Sequence, residues 1–410
     1  MYSKGIVIVG GGHGGSQVAA SLRQEGYDGP LTLVTSETDI PYQRPPLSKA
    51  FLKDPNHDLL PLRPESFYTK GAIDLRLGAT ATAIDRNAGV LTLAEGSPIP
   101  FDRVVLATGA RPRMPPIPGI DLDGVLTLRV ADDARTIRTR LGRAENVVVV
   151  GGGFIGLEIA STARLLGKTV TVLEAADRLM GRVVAAQISE HFLDLHRGWG
   201  TDVRLRTPVG AIVGDSGRVV AVDTAAGDRI PADIAVIGIG VVPNVELAAD
   251  AGAAVENGIV VDDTMQTSVP EILAIGDTVA FHHWSLDRRV RLESVQNAVD
   301  QGKTAAATLT GKPEPYRAVP WFWSDQGDVK LQMVGLSFDT TQSVVRGRRE
   351  EGHFSVFHYA GDRLIAIDSV NRAADHMVGR RMIGAGMSPS PEQAADESVD
   401  LKALVMPAKA

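Results

Sequence analysis

The 410-residue sequence predicts an α/β protein with two strand–turn–helix nucleotide-binding units and a smaller C-terminal α+β domain. Three observations carry this reading. Two apolar strand-like runs each end in a glycine-rich turn that opens a helix. Each copy is followed by a further strand that ends near a glycine. The last 90 residues show alternating strand patterns and one helical stretch instead.

Gly5-Ile6-Val7-Ile8-Val9 has the short, wholly apolar character of a buried parallel strand. It runs into Gly10-Gly11-Gly12-His13-Gly14-Gly15, a helix from Ser16 to Gln24 and a second strand at Leu31–Val34. This is a βαβ unit of about 30 residues. The order returns with Val147–Val150, Gly151-Gly152-Gly153-Phe154-Ile155-Gly156, a helix from Leu157 to Leu166, and Thr169–Leu173. Later strands end near Thr108-Gly109 in the first copy and Ile239-Gly240 in the second. A whole nucleotide-binding unit is therefore duplicated, and the fold class is two Rossmann-like dinucleotide-binding domains plus a C-terminal α+β domain.

The Pro-rich stretch Arg111–Gly119 leads out of the first unit, and Val241-Val242-Pro243-Asn244 closes the second. The expected domains are 1–114 with 245–320, then 115–244, then 321–410. In the last of these, strands are expected at Gln332–Gly335, Ser343–Arg346, Phe354–Phe357 and Leu364–Ile367, and a helix from Arg372 to Gly384. The polar tail after Ser388 is expected to be loosely held.

Composition narrows the function. With 44% hydrophobic and 22% charged residues the chain buries real cores. A formal charge of -7 disfavours nucleic acid as a partner. No apolar run reaches the roughly 18–20 residues of a membrane span, and the N-terminus lacks a signal peptide's pattern, so a cytoplasmic protein is expected. The chain has no cysteine, which excludes a redox disulfide and any Cys-held zinc or iron–sulfur centre in it. His282-His283 lacks a third ligand at sensible spacing, so no metal site is expected.

In a G-x-G-x-x-G turn between strand and helix, the first glycine makes the turn and the second lets the backbone approach a pyrophosphate. The third lets helix and strand pack, and the helix N-terminus faces the anion. Gly10, Gly12 and Gly15 fill these places in the first copy, with His13 and Gly14 beside them, and Gly151, Gly153 and Gly156 in the second, with Phe154 and Ile155. Glu174 closes the next strand of the second copy, where a carboxylate accepts a ribose 2′-OH and repels a 2′-phosphate. This favours NAD over NADP, although Arg178 stands nearby as a group able to receive such a phosphate. In the first copy either Ser36 or Glu37 meets the ribose.

Thr267-Ser268-Val269-Pro270-Glu271-Ile272-Leu273-Ala274-Ile275-Gly276-Asp277 resembles the signature by which FAD-dependent pyridine-nucleotide reductases bring one Asp to the flavin's ribityl and phosphate region. Further matching blocks are Arg44–Lys49, Leu106–Gly109, Gly151–Glu158, Glu293–Ala298 and Pro320–Gln326. Over its whole length the sequence resembles the FAD-dependent NADH:ferredoxin reductases of bacterial oxygenase systems, with a glutathione reductase-like arrangement. It departs from them at Thr35-Ser36, where relatives often carry Gly-Asp.

The resemblance implies FAD and NADH as cofactors. It implies a Lys49–Glu158 pair as the catalytic groups beside the flavin and nicotinamide, and Val295 offering its N–H to the flavin from a helix start capped by Ser294. It places Trp323 against the flavin, Ala81 and Arg129 at its adenosine end, and Arg44, Thr108, Gly109, Gly276 and Asp277 along the FAD. Arg182 and Gly240 join the NAD side. The implied partner is a [2Fe–2S] ferredoxin serving a cytochrome P450 or dioxygenase. It would dock on a local basic patch drawn from Arg63, Lys303 and Lys330, with Arg346, Arg348 and Arg349 as further candidates, and the chain is expected to be a monomer. The competing readings are an NADH-dependent reductase of a small acceptor such as a quinone or dioxygen, and a flavin-binding interaction protein like apoptosis-inducing factor.

Overall fold

The computed structural model describes residues 3–405. The chain forms two compact units. Of the described residues, one takes in 3–44, Asp58–Arg111 and Val241–Ala318, the other Pro45–His57, Pro112–Gly240 and 319–405.

The first unit is built on a five-stranded, all-parallel sheet in the order Ile272–Ala274, Arg103–Leu106, Ile6–Val9, Leu31–Val34, Ile73–Arg76. Its central strand is apolar at every position because helices and loops cover both faces. Helix His13–Gln24 follows the glycine turn and packs on helix Val295–Leu309. Gly14 and Gly302 permit that approach, since a Cβ on Gly302 would lie 3.0 Å from the Gly14 carbonyl oxygen. A small antiparallel sheet, Ala81–Asp85, Val90–Leu93 and Pro98–Pro100, completes the copy.

The second unit repeats the plan in the order Asp202–Arg204, Thr169–Leu173, Asn146–Val150, Ile234–Ile237, Val125–Leu126, again all parallel. Its own antiparallel insert is Val209–Asp215, Arg218–Thr224 and Arg229–Pro231. The duplication holds at single hydrogen bonds. Gly10 N–H donates to Val34 O at 2.8 Å, and Gly151 N–H donates to Leu173 O at 2.8 Å. Ala107 N–H reaches Val9 O at 2.8 Å, as Gly238 N–H reaches Val150 O at 2.7 Å.

The same unit carries a five-stranded antiparallel sheet in the order Trp321–Gln326, Val329–Gly335, Arg363–Val370, His353–Ala360, Gln342–Arg348. Helix Ala373–Ala385 covers one face, where Phe357, Tyr359, Ile367, Val378 and Met382 form a core.

As far as residue 405 the tail corrects the expectation that it is loosely held, and residues 406–410 lie outside the described residues. Ser390 and Gln393 form a capping box around helix Pro391–Ala395, and Ala394 and Leu401 are buried in that core. Arg346, itself buried, donates to the carbonyls of Ala394, Asp396, Glu397 and Val399 at 3.1, 2.5, 3.5 and 3.0 Å. Arg346 is therefore no docking residue. Arg348 pairs with Glu351, and Arg349 bridges Glu190 and Asp194 of helix Ala186–Gly198, so their charges are matched locally as well.

Candidate functional site

The two glycine loops share one division of labour. A Cβ on Gly10 would overlap the Ala107 carbonyl, and one on Gly15 would overlap the Gly10 carbonyl. Gly151 and Gly156 are blocked in the same way by the Gly238 and Gly151 carbonyls. The chain itself requires these four glycines, and Gly10 and Gly151 also hold φ of +119° and +110°. The middle glycines differ. A Cβ on Gly12 would meet nothing nearer than the Arg44 guanidinium at 3.8 Å, and one on Gly153 nothing nearer than Gly238 O at 3.8 Å. Their backbone lies in ordinary space, φ -75° and -82°, as the N-caps of the two loop helices, and neither has a side-chain cap. Protein leaves room in front of two helix N-termini, where a pyrophosphate fits. Gly14 is turned instead toward the Val295–Leu309 helix, against Ile275 and Ala298.

Thr35 and Glu174 are equivalent, each following the strand whose last carbonyl receives the loop's N–H. Glu174 turns its carboxylate back on the loop, accepting Gly152 N–H at 2.6 Å and Ala176 N–H at 2.7 Å. Arg178 turns away, donating to Val184 O, Gly181 O and Ser189 Oγ. A carboxylate at the end of this strand and an engaged arginine suit NAD. Arg182 lies beside Gly240, its guanidinium 3.5 Å from where a Cβ there would stand. Ile155 is 44% exposed at the mouth of the loop, whereas the Phe154 ring packs on Phe322 at 4.9 Å.

In the first unit Thr35 is buried against Gly11. The Glu37 carboxylate, two residues later, is held by the Tyr42 hydroxyl and by Arg44 at 2.5 Å. Ser36 is exposed. Asn244 clamps the Thr108-Gly109 turn, its Nδ2 donating to Thr108 O and its N–H to Gly109 O, each at 2.9 Å. Gly276 opens a single 3-10 turn with Asp277, and its N–H donates to Gln301 Oε1 at 2.7 Å. The expected Ser294 cap is present, accepting Asn297 N–H at 3.1 Å, and Val295 opens that helix with an N–H that has no acceptor within it. Ala81 begins its strand in this unit.

Lys49, Arg129 and Trp323 belong to the second unit. The Asp133 carboxylate, in the first turn of helix Ala131–Leu141, accepts the Arg129 N–H at 2.8 Å. Trp323 lies on the edge strand, tilted against Trp321 with centroids 5.5 Å apart. Lys49 meets Glu158 as expected, Nζ to Oε2 at 2.8 Å, with Glu158 buried and Lys49 about a quarter exposed. Two further groups hold the Glu158 carboxylate. Ser48 Oγ donates to Glu158 Oε2 at 2.5 Å and Ser324 Oγ to Oε1 at 2.7 Å. Both lie in blocks that the resemblance marks, yet 110 and 166 residues from Glu158, so only the fold reveals them.

Residues 4–302 match the pyridine nucleotide-disulphide oxidoreductase family, and residues 321–405 match a reductase C-terminal domain. The chain belongs to the pyridine nucleotide-disulphide oxidoreductase family. It is a flavoprotein oxidoreductase, and the sequence-based expectation of FAD and NADH agrees with that membership. The reductase is 47% identical to rhodocoxin reductase of Rhodococcus erythropolis over 98% of this chain and 94% of that one. It is 42% identical to putidaredoxin reductase of Pseudomonas putida over 99% and 97%. Among solved structures it resembles the ferredoxin reductase for the CYP199A2 system from Rhodopseudomonas palustris, with TM-score 0.95, 47% identity and coverage of 98% and 100%. It also resembles putidaredoxin reductase in its covalent complex with putidaredoxin, with TM-score 0.94, 42% identity and coverage of 98% of each chain. Among its described residues no helix is long and apolar enough to cross a membrane.

Proposed function

We propose that this reductase takes electrons from NADH and delivers them to a [2Fe–2S] ferredoxin that serves a cytochrome P450 or dioxygenase. One observation carries the reading: a single chain builds two dinucleotide cradles, each open only at its middle glycine, and contains no cysteine. With no thiol pair to relay electrons, the acceptor must be served from the flavin site directly. FAD, when bound, supplies the conversion between a two-electron hydride donor and one-electron acceptors.

The chain's own residues set up that exchange. Gly12, Arg44, Glu37, Thr108, Gly109, Asp277 and Val295 would hold FAD, and Gly153, Ile155, Glu174, Arg182 and Gly240 would hold NADH. Glu174 selects the unphosphorylated ribose. Lys49 supplies a cation, and a cation beside a reduced flavin favours its anionic form. Glu158 fixes where that cation stands. The relatives named for rhodocoxin and putidaredoxin support a small redox protein as acceptor.

A ferredoxin of this kind is acidic, and so is this chain at -7. Docking then depends on a local basic patch, because charges are screened beyond about 8 Å at physiological salt. Lys330 is exposed on strand Val329–Gly335. Lys303 is exposed beside Asp300, and Arg63 lies over the Phe67 ring. The reductase acts as a cytoplasmic monomer in this reading.

The test is to reconstitute the protein with FAD, reduce it with NADH and mix it with [2Fe–2S] ferredoxins, a quinone or dioxygen. Ferredoxin bleaching much faster than quinone or dioxygen turnover is expected. Slow ferredoxin reduction with fast quinone reduction overturns the assignment of the acceptor. A chain that stays colourless after incubation with FAD overturns the whole reading.

A further inference from the structure

Glu158 lies on helix Phe154–Leu165, fully buried, and three side chains donate to it. Lys49 and Ser48 take Oε2, and Ser324 takes Oε1. The line does not stop at Ser324. Gln326 Nε2 lies 3.3 Å from Ser324 Oγ, and Gln326 Oε1 lies 2.9 Å from His196 Nε2. Ser324, Gln326 and His196 are all wholly inaccessible to solvent. Strand alternation creates half of this arrangement. Ser324 and Gln326, two apart on strand Trp321–Gln326, share the face opposite to Trp323 and Asp325. His196 comes from the last turn of helix Ala186–Gly198 and packs edge-on against Trp199.

Donor chemistry gives the line a direction. An ionised carboxylate only accepts, so the one hydroxyl proton of Ser324 points to Glu158. Ser324 Oγ then accepts from the Gln326 amide. The Gln326 carbonyl can only accept, which places the His196 proton on Nε2 and leaves Nδ1 bare. His196 Nδ1 is indeed buried without a partner, and burial keeps the ring neutral by holding its pKa below the ordinary histidine value. Every bond from His196 to Glu158 donates the same way, and such chains polarise and stiffen one another in a low-dielectric interior.

We infer that Ser324 and Gln326, backed by His196, are positioning residues that lock the Glu158 carboxylate in one orientation, so that Oε2 stays available to anchor Lys49. The inference rests on the proposed role of the Lys49–Glu158 pair. Without the Ser324 proton the carboxylate is held from one side only and rotates with its lysine.

Stopped-flow reduction of the FAD holoenzyme by NADH separates this from a packing role. Ser324→Ala should lower the limiting rate of flavin reduction about tenfold while the apparent NADH Kd stays within about twofold, because the nucleotide cradle is untouched. Ser324→Thr, which keeps the hydroxyl, should restore the rate. Gln326→Leu, which leaves Ser324 in place, should slow it about threefold, and it carries the test should Ser324→Ala not fold. A readout independent of turnover is the coupling between Lys49 and Glu158 in a urea double-mutant cycle, expected to weaken at least threefold as an equilibrium constant in the Ser324→Ala background. Wild-type limiting rates in Ser324→Ala and Gln326→Leu, with Glu158→Gln slowed, overturn the positioning line alone. Wild-type rates in Glu158→Gln overturn the role of the ion pair itself, and the positioning line with it.

Discussion

The Glu174 carboxylate accepts the Gly152 N–H at 2.6 Å, tying the end of one strand to the middle of the glycine loop it faces. Its other oxygen takes Ala176 N–H at 2.7 Å, so the side chain cannot swing away from the loop. Glu174→Ala removes the tie that shapes the cradle and, on the proposed reading, an acceptor for the ribose. Charge-assisted hydrogen bonds of this kind contribute about 1.5–3 kcal/mol. A fall in kcat/KM for NADH of roughly 10–100-fold is therefore expected, with a smaller fall for NADPH. Steady-state ferricyanide reduction with the two nucleotides checks it, and an unchanged NADH-to-NADPH ratio would remove Glu174 from the specificity argument.

The contrast between Gly10 and Gly12 separates folding from cofactor binding. Gly10→Ala places a Cβ into the Ala107 carbonyl at a φ of +119° and should destabilise the unit by several kcal/mol. Gly12→Ala meets no protein atom within 3.8 Å and sits at φ -75°, so the apoprotein's melting temperature should hold to within a few degrees. Its methyl group enters the space in front of the helix. Flavin content after FAD incubation, read from the visible bands, should drop sharply in Gly12→Ala. A fully yellow Gly12→Ala protein of wild-type stability would argue against a pyrophosphate at that loop.

The sequence spoke clearly where the physics is local. An apolar run, a glycine triplet and a helix start lie within a dozen residues, so both cradles and their strands were readable, as was the Ser294 cap. Glu174 was readable because it ends the strand after its loop. Glu37 and Ser36 are not separable in sequence, and the contacts of Tyr42 and Arg44 with the Glu37 carboxylate come from the fold alone. The partners of Glu158 other than Lys49 were hidden for a related reason. Ser48 and Ser324 are ordinary serines until the fold joins segments far apart in the chain. The hold on residues 394–399 is not readable from composition, because Arg346 binds their backbone carbonyls, which any sequence supplies.

Arg346 holds the C-terminal segment with four donated bonds, all to main-chain oxygens. Arg346→Met keeps the stem that packs in the sheet and deletes the donors. It leaves those carbonyls short of a partner, at about 1–3 kcal/mol for each one that water does not reach. The expected result is a melting temperature several degrees lower and rapid proteolytic trimming near Asp396, without loss of flavin. Lysine at this position cannot span four carbonyls from one ammonium, so Arg346→Lys should restore the tail only in part. Unchanged protease resistance in Arg346→Met would show that the capping box and Leu401 hold the tail without it.

Two buried histidines give the fold an acid sensitivity whose sign can be worked out. His283 and His376 are each pushed down to about 4, chiefly by burial, with His282 adding repulsion at the first and Arg380 at the second. In the unfolded chain both titrate near 6.5. Above that pH both states hold neutral rings, and the histidines leave stability unchanged. As pH falls from about 6.5 toward about 4 the unfolded chain binds protons that the folded chain refuses, so stability falls. The slope approaches about 1.4 kcal/mol per pH unit for each ring. His191 and His196 are lowered in the same direction by burial and add to the trend. Urea unfolding at pH 7.5, 6.5, 5.5 and 4.5 should show wild-type stability dropping below pH 6.5. His283→Asn with His376→Gln should flatten that drop while lowering stability at pH 7.5, because His376 also packs against Trp321. Parallel pH curves for the double variant and the wild type would mean that these two rings are protonated in the folded protein.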